Sequence, residues 1–159
     1  MTSIGDTGTG ADDVRHMRRA LSLAARAADA GEVPVGAVVV DRSGAVVAES
    51  HNRTRELGEP TAHAEVLALR GAAAALGDWR LEGHRLYVTL EPCAMCAGAI
   101  VLSRVESVVF GARDPKAGMC GSLENLVQDP RLNHRVDLIS GVLEEEAATL
   151  LTRFFRARR

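Results

Sequence analysis

Cysteine, aromatic side chains, net charge and long apolar runs are all scarce in this chain, and each scarcity removes a class of protein. Three cysteines among 159 residues build no disulfide framework, and two of them stand in metal-binding spacing, so a reducing compartment, the cytoplasm, is expected. Aromatic residues make up 3% of the chain, too few for a broad stacking platform along single-stranded nucleic acid, although a pocket for one extruded base needs few. A formal net charge of -2 argues against the basic stripe of a general nucleic-acid coat protein, so any contact with RNA must be local. No apolar run reaches the roughly 18 residues that cross a bilayer, and the N-terminal stretch has no basic start followed by an apolar core. Membrane insertion and secretion are therefore not expected. Internal repeats and low-complexity segments are also missing.

What remains is long enough for one domain with a sizeable core, since chains of this size bury roughly 70% of their unfolded surface. Residues 1–11 are rich in Gly, Thr and Asp and offer little to bury, so they read as a flexible tail ahead of a single domain over 12–159. Between 12 and 30, Val14, Met17, Leu21, Ala24 and Ala28 recur at helical spacing, with Asp12 and Asp13 suited to the start and Gly31 to the end. Two β-rich runs, 35–40 and 45–49, flank Asp41-Arg-Ser-Gly44, and the unbroken apolar first run predicts a strand buried on both faces. Residues 51–60 are polar and unperiodic and read as a loop leading to the site, followed by an Ala-rich helix from near Ala62 to Leu76. A strand over 85–90, a helix over 93–103, a strand over 105–110, a loop over 111–121, a strand over 135–139 and an amphipathic helix over 143–158 complete the order. Helices between the later strands call for parallel pairing there. The expectation is an α/β fold with a mixed sheet of about five strands between helices.

The chemistry concentrates in Tyr87-Val-Thr-Leu-Glu-Pro-Cys-Ala-Met-Cys-Ala-Gly98. A helix start at Pro92 turns Cys93 and Cys96 toward one point, and its free N–H groups and dipole favour thiolate. Thr61-Ala-His-Ala-Glu65 supplies the missing partners. His63 and Glu65 are two apart, too close to share one helical face, so one is expected to bind an ion while the other faces a substrate. A structural zinc, a redox dithiol and chance burial are the alternatives for the cysteine pair, but a structural zinc wants four protein ligands and a dithiol needs no His-x-Glu. His84, the nearest fourth candidate, reads as a surface histidine, and Cys120 as a loop or core thiol. Imidazole and two thiolates can hold zinc with an open position for water, and Glu65 is placed to carry the protons. Glu91, the rival carboxylate, reads as structural or as a pocket wall. This chemistry alone does not separate adenine, cytosine and guanine.

His-x-Glu followed by Pro-Cys-x-x-Cys is the signature of zinc-dependent base deaminases. Beyond it, the chain is similar to the bacterial transfer-RNA-specific adenosine deaminases through Val33-Pro-Val-Gly-Ala, Pro60-Thr-Ala-His-Ala-Glu, Leu90-Glu-Pro-Cys-Ala-Met-Cys-Ala-Gly, Val109-Phe-Gly-Ala-Arg-Asp, Asn133-His-Arg and Phe154-Phe-Arg, from about Val14 to Arg159. The resemblance implies a three-layer αβα sandwich, one zinc per subunit on His63, Cys93 and Cys96, and Glu65 as proton shuttle. It also implies hydrolysis of adenosine to inosine at the first anticodon position. Asn52 and Ala64 are implied at the flipped base, and Asp114, Lys116, Asn133, Phe155, Arg158 and Arg159 at the anticodon stem-loop, in a homodimer. Four arginines in the last seven residues, with Phe154 and Phe155, predict one ring packed inward and the other toward RNA. A free-base deaminase, of guanine for instance, and a catalytically silent zinc or RNA-binding module are the competing readings.

Overall fold

Gly36–Val40 (β1) is buried along its whole length, as its unbroken apolar run predicts, and it lies inside the sheet with a neighbour on each side. The computed structural model describes residues 10–158; residues 1–9 of the expected tail, and Arg159 with its expected RNA contact, lie outside them. Val46–His51 (β2) and Arg85–Leu90 (β3) both run antiparallel to β1, and Ser107–Ala112 (β4) and Asp137–Ile139 (β5) extend the sheet in parallel, giving the order β2-β1-β3-β4-β5. The β1–β2 turn closes on Asp41, whose Oδ1 accepts from the amides of Ser43 and Ala45 at 2.9 and 3.1 Å, an arrangement Asp favours because its short side chain reaches its own turn.

Alternation along the strands divides the core. Ala37, Val39, Leu86, Val88, Val108 and Phe110 face Ala64–Leu76 (α3) and Ala94–Ser103 (α4). Val38, Val40, Tyr87 and Val109 face Ala11–Asp29 (α1) and Glu144–Arg156 (α5). The result is the expected αβα sandwich, because a sheet apolar on both faces needs a helical layer on each. On the α1 side the approach is close: a Cβ on Gly36 would stand 2.0 Å from the Ala20 carbonyl oxygen, so only glycine fits. At the far end of that face, Tyr87 donates its hydroxyl to Asp13 Oδ1 at 2.5 Å, with the His16 ring 5.0 Å from the Tyr87 ring. Among the described residues no helix is long and apolar enough to cross a membrane.

Several boundaries differ from the sequence reading. β4 runs two residues later than expected because Leu90 pairs with Ala112 and the Glu91 amide donates to the Ala112 carbonyl at 2.8 Å, which holds Gly111 and Ala112 in the sheet. α3 begins at Ala64, and α1 at Ala11. The loop over 51–60 contains one helical turn, Thr54–Leu57 (α2). His84 is buried, not on the surface: its carbonyl accepts from the Glu106 amide at 2.8 Å and its Nδ1 lies 3.1 Å from the Glu82 carbonyl, so the turn before β3 meets its polar atoms internally.

Candidate active site

Two helix starts meet at the C-terminal end of β3. His63 precedes α3 with an extended backbone, φ -75° and ψ 153°, and Cys93 precedes α4 in the same way, while Glu65 and Cys96 lie in the first turns of the two helices. The helical-spacing argument does not apply to His63, which stands outside the helix; both side chains line one cavity, with His63 in the ligand cluster and Glu65 outside it. His63 Nδ1 stands 3.4 Å from Cys96 Sγ and 3.7 Å from Cys93 Sγ. One ligand atom from each of the three residues lies within 4.8 Å of the others.

The electrostatics of the group suit a dication. Contacts from the Cys96 thiol and then from His63 pull the Cys93 thiol down to about 3, which makes it a thiolate. The neighbouring Cys93, followed by burial, pushes Cys96 up, because two bare thiolates side by side repel. The Cys93 contact raises His63 against the opposing effect of burial. A metal with soft ligands resolves this conflict by taking the place of the shared protons. Among the described residues this ligand cluster has three members, the number of a catalytic zinc site with one position left for water. His84 sits at the opposite end of β3, and burial pushes the Cys120 thiol up to about 12, away from a ligating thiolate. Glu65 is 4% exposed. Burial raises its carboxyl to about 7, with its own amide and His63 opposing, so it can both hold and release a proton near neutrality.

The cavity of about 200 Å³ beside this group is lined by Asn52, His63, Glu65, Glu91, Cys93 and Asp114, with Val33, Val35, Leu90 and Ala117 as its apolar walls. It opens toward a larger space of about 710 Å³ that shares Val33, Leu90, Asp114 and Ala117 and adds Arg113, Lys116, Leu151, Phe155 and Arg158. Four of the expected RNA contacts, Asp114, Lys116, Phe155 and Arg158, are thus gathered at one rim. Phe154 packs inward, and Phe155 is 48% exposed. Arg158 lies over the Phe154 ring, 3.7 Å from its centroid, a cation–π arrangement. Asn133 is exposed and lines neither cavity. Ala64 has its methyl in the core, which leaves its first-turn backbone as the part able to meet a substrate.

Sequence reasoning missed Glu32. This buried carboxylate accepts from the amides of Arg55 and Glu56 at 3.1 and 2.8 Å, capping α2 and so holding the segment that follows Asn52. A single Glu after a helix-ending Gly carries no pattern that would have revealed it. The apolar walls were equally invisible, because each reads as ordinary core.

The pattern of the cytidine and deoxycytidylate deaminase zinc-binding region matches residues 11–112. A tRNA-specific adenosine deaminase of Bacillus subtilis is 54% identical over 147 residues, covering 92% of this chain and 91% of the relative. One of Haemophilus influenzae is 48% identical over 147 residues, covering 92% and 85%. Among solved structures, one from work on A-to-I editing by tRNA:A34 deaminases at the wobble position superposes with a TM-score of 0.83 at 47% identity, covering 86% of this chain and 99% of that one. A guanine deaminase from Nitrosomonas europaea superposes with a TM-score of 0.78 at 29% identity, covering 89% and 83%. A donor set suited to zinc, a buried carboxylate beside it and similarity along nearly the whole chain lead to one assignment: the chain belongs to the cytidine and deoxycytidylate deaminase family, among its tRNA-specific adenosine deaminases.

Proposed function

We propose that the protein, acting as one domain over 12–159, hydrolyses adenosine to inosine at the first anticodon position of a transfer RNA and releases ammonia. The observation that carries this reading is the meeting of His63, Cys93 and Cys96 with the buried Glu65 in a cavity that Asn52 also lines and that opens onto a charged rim. Zinc, when held by the three side chains, supplies the Lewis acidity that makes water a nucleophile near neutral pH. Glu65 takes one proton of the attacking water on a carboxylate oxygen and passes it to the adjacent ring nitrogen. It then moves the second proton to the amine as that group leaves. Both protons of the water are thereby placed, one in inosine and one in ammonia. Asn52 offers amide donors and an acceptor to the purine edge.

The rim separates an RNA-borne base from a free one. About 200 Å³ holds little more than a base, and the open space beyond it carries Lys116, Arg158 and the exposed Phe155, groups suited to phosphate and to a flanking base. The test is inosine formation on a transcribed anticodon stem-loop, run beside free guanine and cytidine. Deamination of guanine with none on the stem-loop would replace the reading by the free-base one.

The homodimer implied by the resemblance has a suitable face. α3 and α4, whose starts hold the ligands, and the turn after α3 leave Leu102 and Trp79 exposed, with Leu102 at 69%, at an apolar groove formed with Val66, Leu69, Ala73 and Ala99. A second copy covering this face would stand beside the catalytic corner. Leu102→Glu is expected to yield monomer by light scattering; an unchanged dimer would place the interface elsewhere. A cytoplasmic location accords with the thiolate ligands and the substrate.

A further inference from the structure

A second buried carboxylate lies beside the cavity and takes no part in the proton transfer above. Glu91 is 2% exposed, and both of its oxygens are engaged. Oε1 accepts from the Asp114 amide at 2.9 Å and the Ser122 hydroxyl at 2.5 Å; Oε2 accepts from the amides of Cys120 and Ser122 at 3.0 and 2.9 Å. Four donors from residues 114–122 converge on one side chain, and the same segment supplies Asp114, Lys116 and Ala117 to the substrate space. The strand below does not depend on that side chain. β3 is held by its pairing with β1 and β4, and just beyond it the Glu91 amide donates to the Ala112 carbonyl and the Met119 amide to the Pro92 carbonyl, at 2.8 and 2.9 Å. Gly118 passes directly over the carboxylate: a Cβ there would stand 2.3 to 2.5 Å from the Glu91 carboxyl carbon and both oxygens. Its φ is not positive, so the closeness, and not backbone conformation, is what selects glycine.

We propose that Glu91 is a positioning residue, which gathers 114–122 against the end of β3 beside Cys93 and so sets how tightly an RNA-borne base is held. The inference rests on the deaminase reading of the site. Wall contacts made equally in ground and transition states act on KM, whereas Glu65 and the metal ligands act on kcat.

Glu91→Ala, Glu91→Gln, Gly118→Ala and the double variant Glu91→Ala/Gly118→Ala test it. Amide hydrogen exchange at Asp114, Cys120 and Ser122 is expected to quicken about tenfold or more in Glu91→Ala while Val88 in β3 is unchanged. KM for the stem-loop rises about tenfold, with kcat within about twofold and zinc at one per chain. Glu91→Gln falls between, since Ser122 can reverse its hydroxyl toward the new amide and leave only the Asp114 amide unpaired. Gly118→Ala alone mimics Glu91→Ala, yet adds little in the double variant, where its methyl enters the vacated space. Unchanged exchange at the three amides, a Gly118→Ala effect of equal size with Glu91 absent, or a loss confined to kcat overturns the proposal. Should Glu91→Ala fail to fold, Glu91→Gln and Ser122→Ala carry the same readouts at smaller size. Exchange needs no substrate, so a wild type that makes no inosine would sink the adenosine reading while the anchor is still judged on its own.

Discussion

Tyr87→Phe removes a single oxygen from the end of the sheet away from the metal ligands, and its effect can be worked from the surroundings of Asp13. That carboxylate is 2% exposed, its Oδ1 accepts from the Tyr87 hydroxyl at 2.5 Å, and its Oδ2 has no partner. Burial, and then the bond to Asp13, push the phenol up to about 12, so it remains the donor at every working pH. Without it the cation within reach is Arg85, whose Nη1 lies 3.6 Å from Oδ1, beyond a good hydrogen bond. A hydrogen bond to a charged group contributes about 1.5–3 kcal/mol, and orphaning the buried partner brings the cost to the upper part of that range. The expected loss is about 2–3 kcal/mol, a fall in Tm of about 5–10 °C for a chain of this length. Thermal melts and urea titrations at pH 7 measure it, with Asp13→Asn and the double variant completing a cycle whose coupling should exceed about 1 kcal/mol. Zinc content and turnover stay at wild-type levels. A fall in Tm under about 2 °C, or additive single effects, would show that the bond adds nothing to the fold.

Glu65→Gln keeps the shape and burial of the side chain while removing the proton carrier, so metal analysis should read one zinc per chain and turnover should fall about 10²–10⁴-fold; a loss below about tenfold would pass the role to another group. Cys96→Ser is expected to lose both zinc and activity, since a hydroxyl is a poor ligand at neutral pH, and full occupancy in that variant would show the ligand misassigned. His16 is depressed by burial first and by Arg15 second, with Asp12 and Asp13 opposing and Arg85 assisting. Its neutral form is thus the folded one, so its contribution to stability is complete above the ordinary value of 6.5 and is lost as pH falls from there through the depressed value. The urea midpoint should decline over that interval in wild type and less steeply in His16→Gln, and parallel curves would exclude His16 as the cause.

The layers were legible because they depend on local pattern. The apolar run at 35–40 needs burial on two faces, and Met17, Leu21 and Ala24 share one stripe of α1. The metal ligands were legible as well, since Cys-x-x-Cys at a helix start and His-x-Glu state their chemistry in residue type and spacing. What escaped depended on atoms brought together from distant parts of the chain. The end of β4 is decided by bonds to Leu90 and Glu91, which carry it two residues past the apolar run, and the burial of His84 depends on a carbonyl that only the turn geometry brings to its ring. The separate roles of His63 and Glu65 follow from a different cause than helical spacing: the helix starts at Ala64, two residues after Ala62, so His63 stands outside it and the spacing rule does not apply.

Glu32 has a practical consequence for remodelling the enzyme. Its carboxylate ties down the turn after Asn52 through backbone amides of residues 55 and 56, and backbone amides are present whatever side chains the turn carries. A library that randomises residues 53–59, excluding proline at 55 and 56, therefore keeps its mooring through every member. Loop grafts of matching length from other deaminases can be seated on the same carboxylate, so the stretch after Asn52 can be varied without recutting the metal corner.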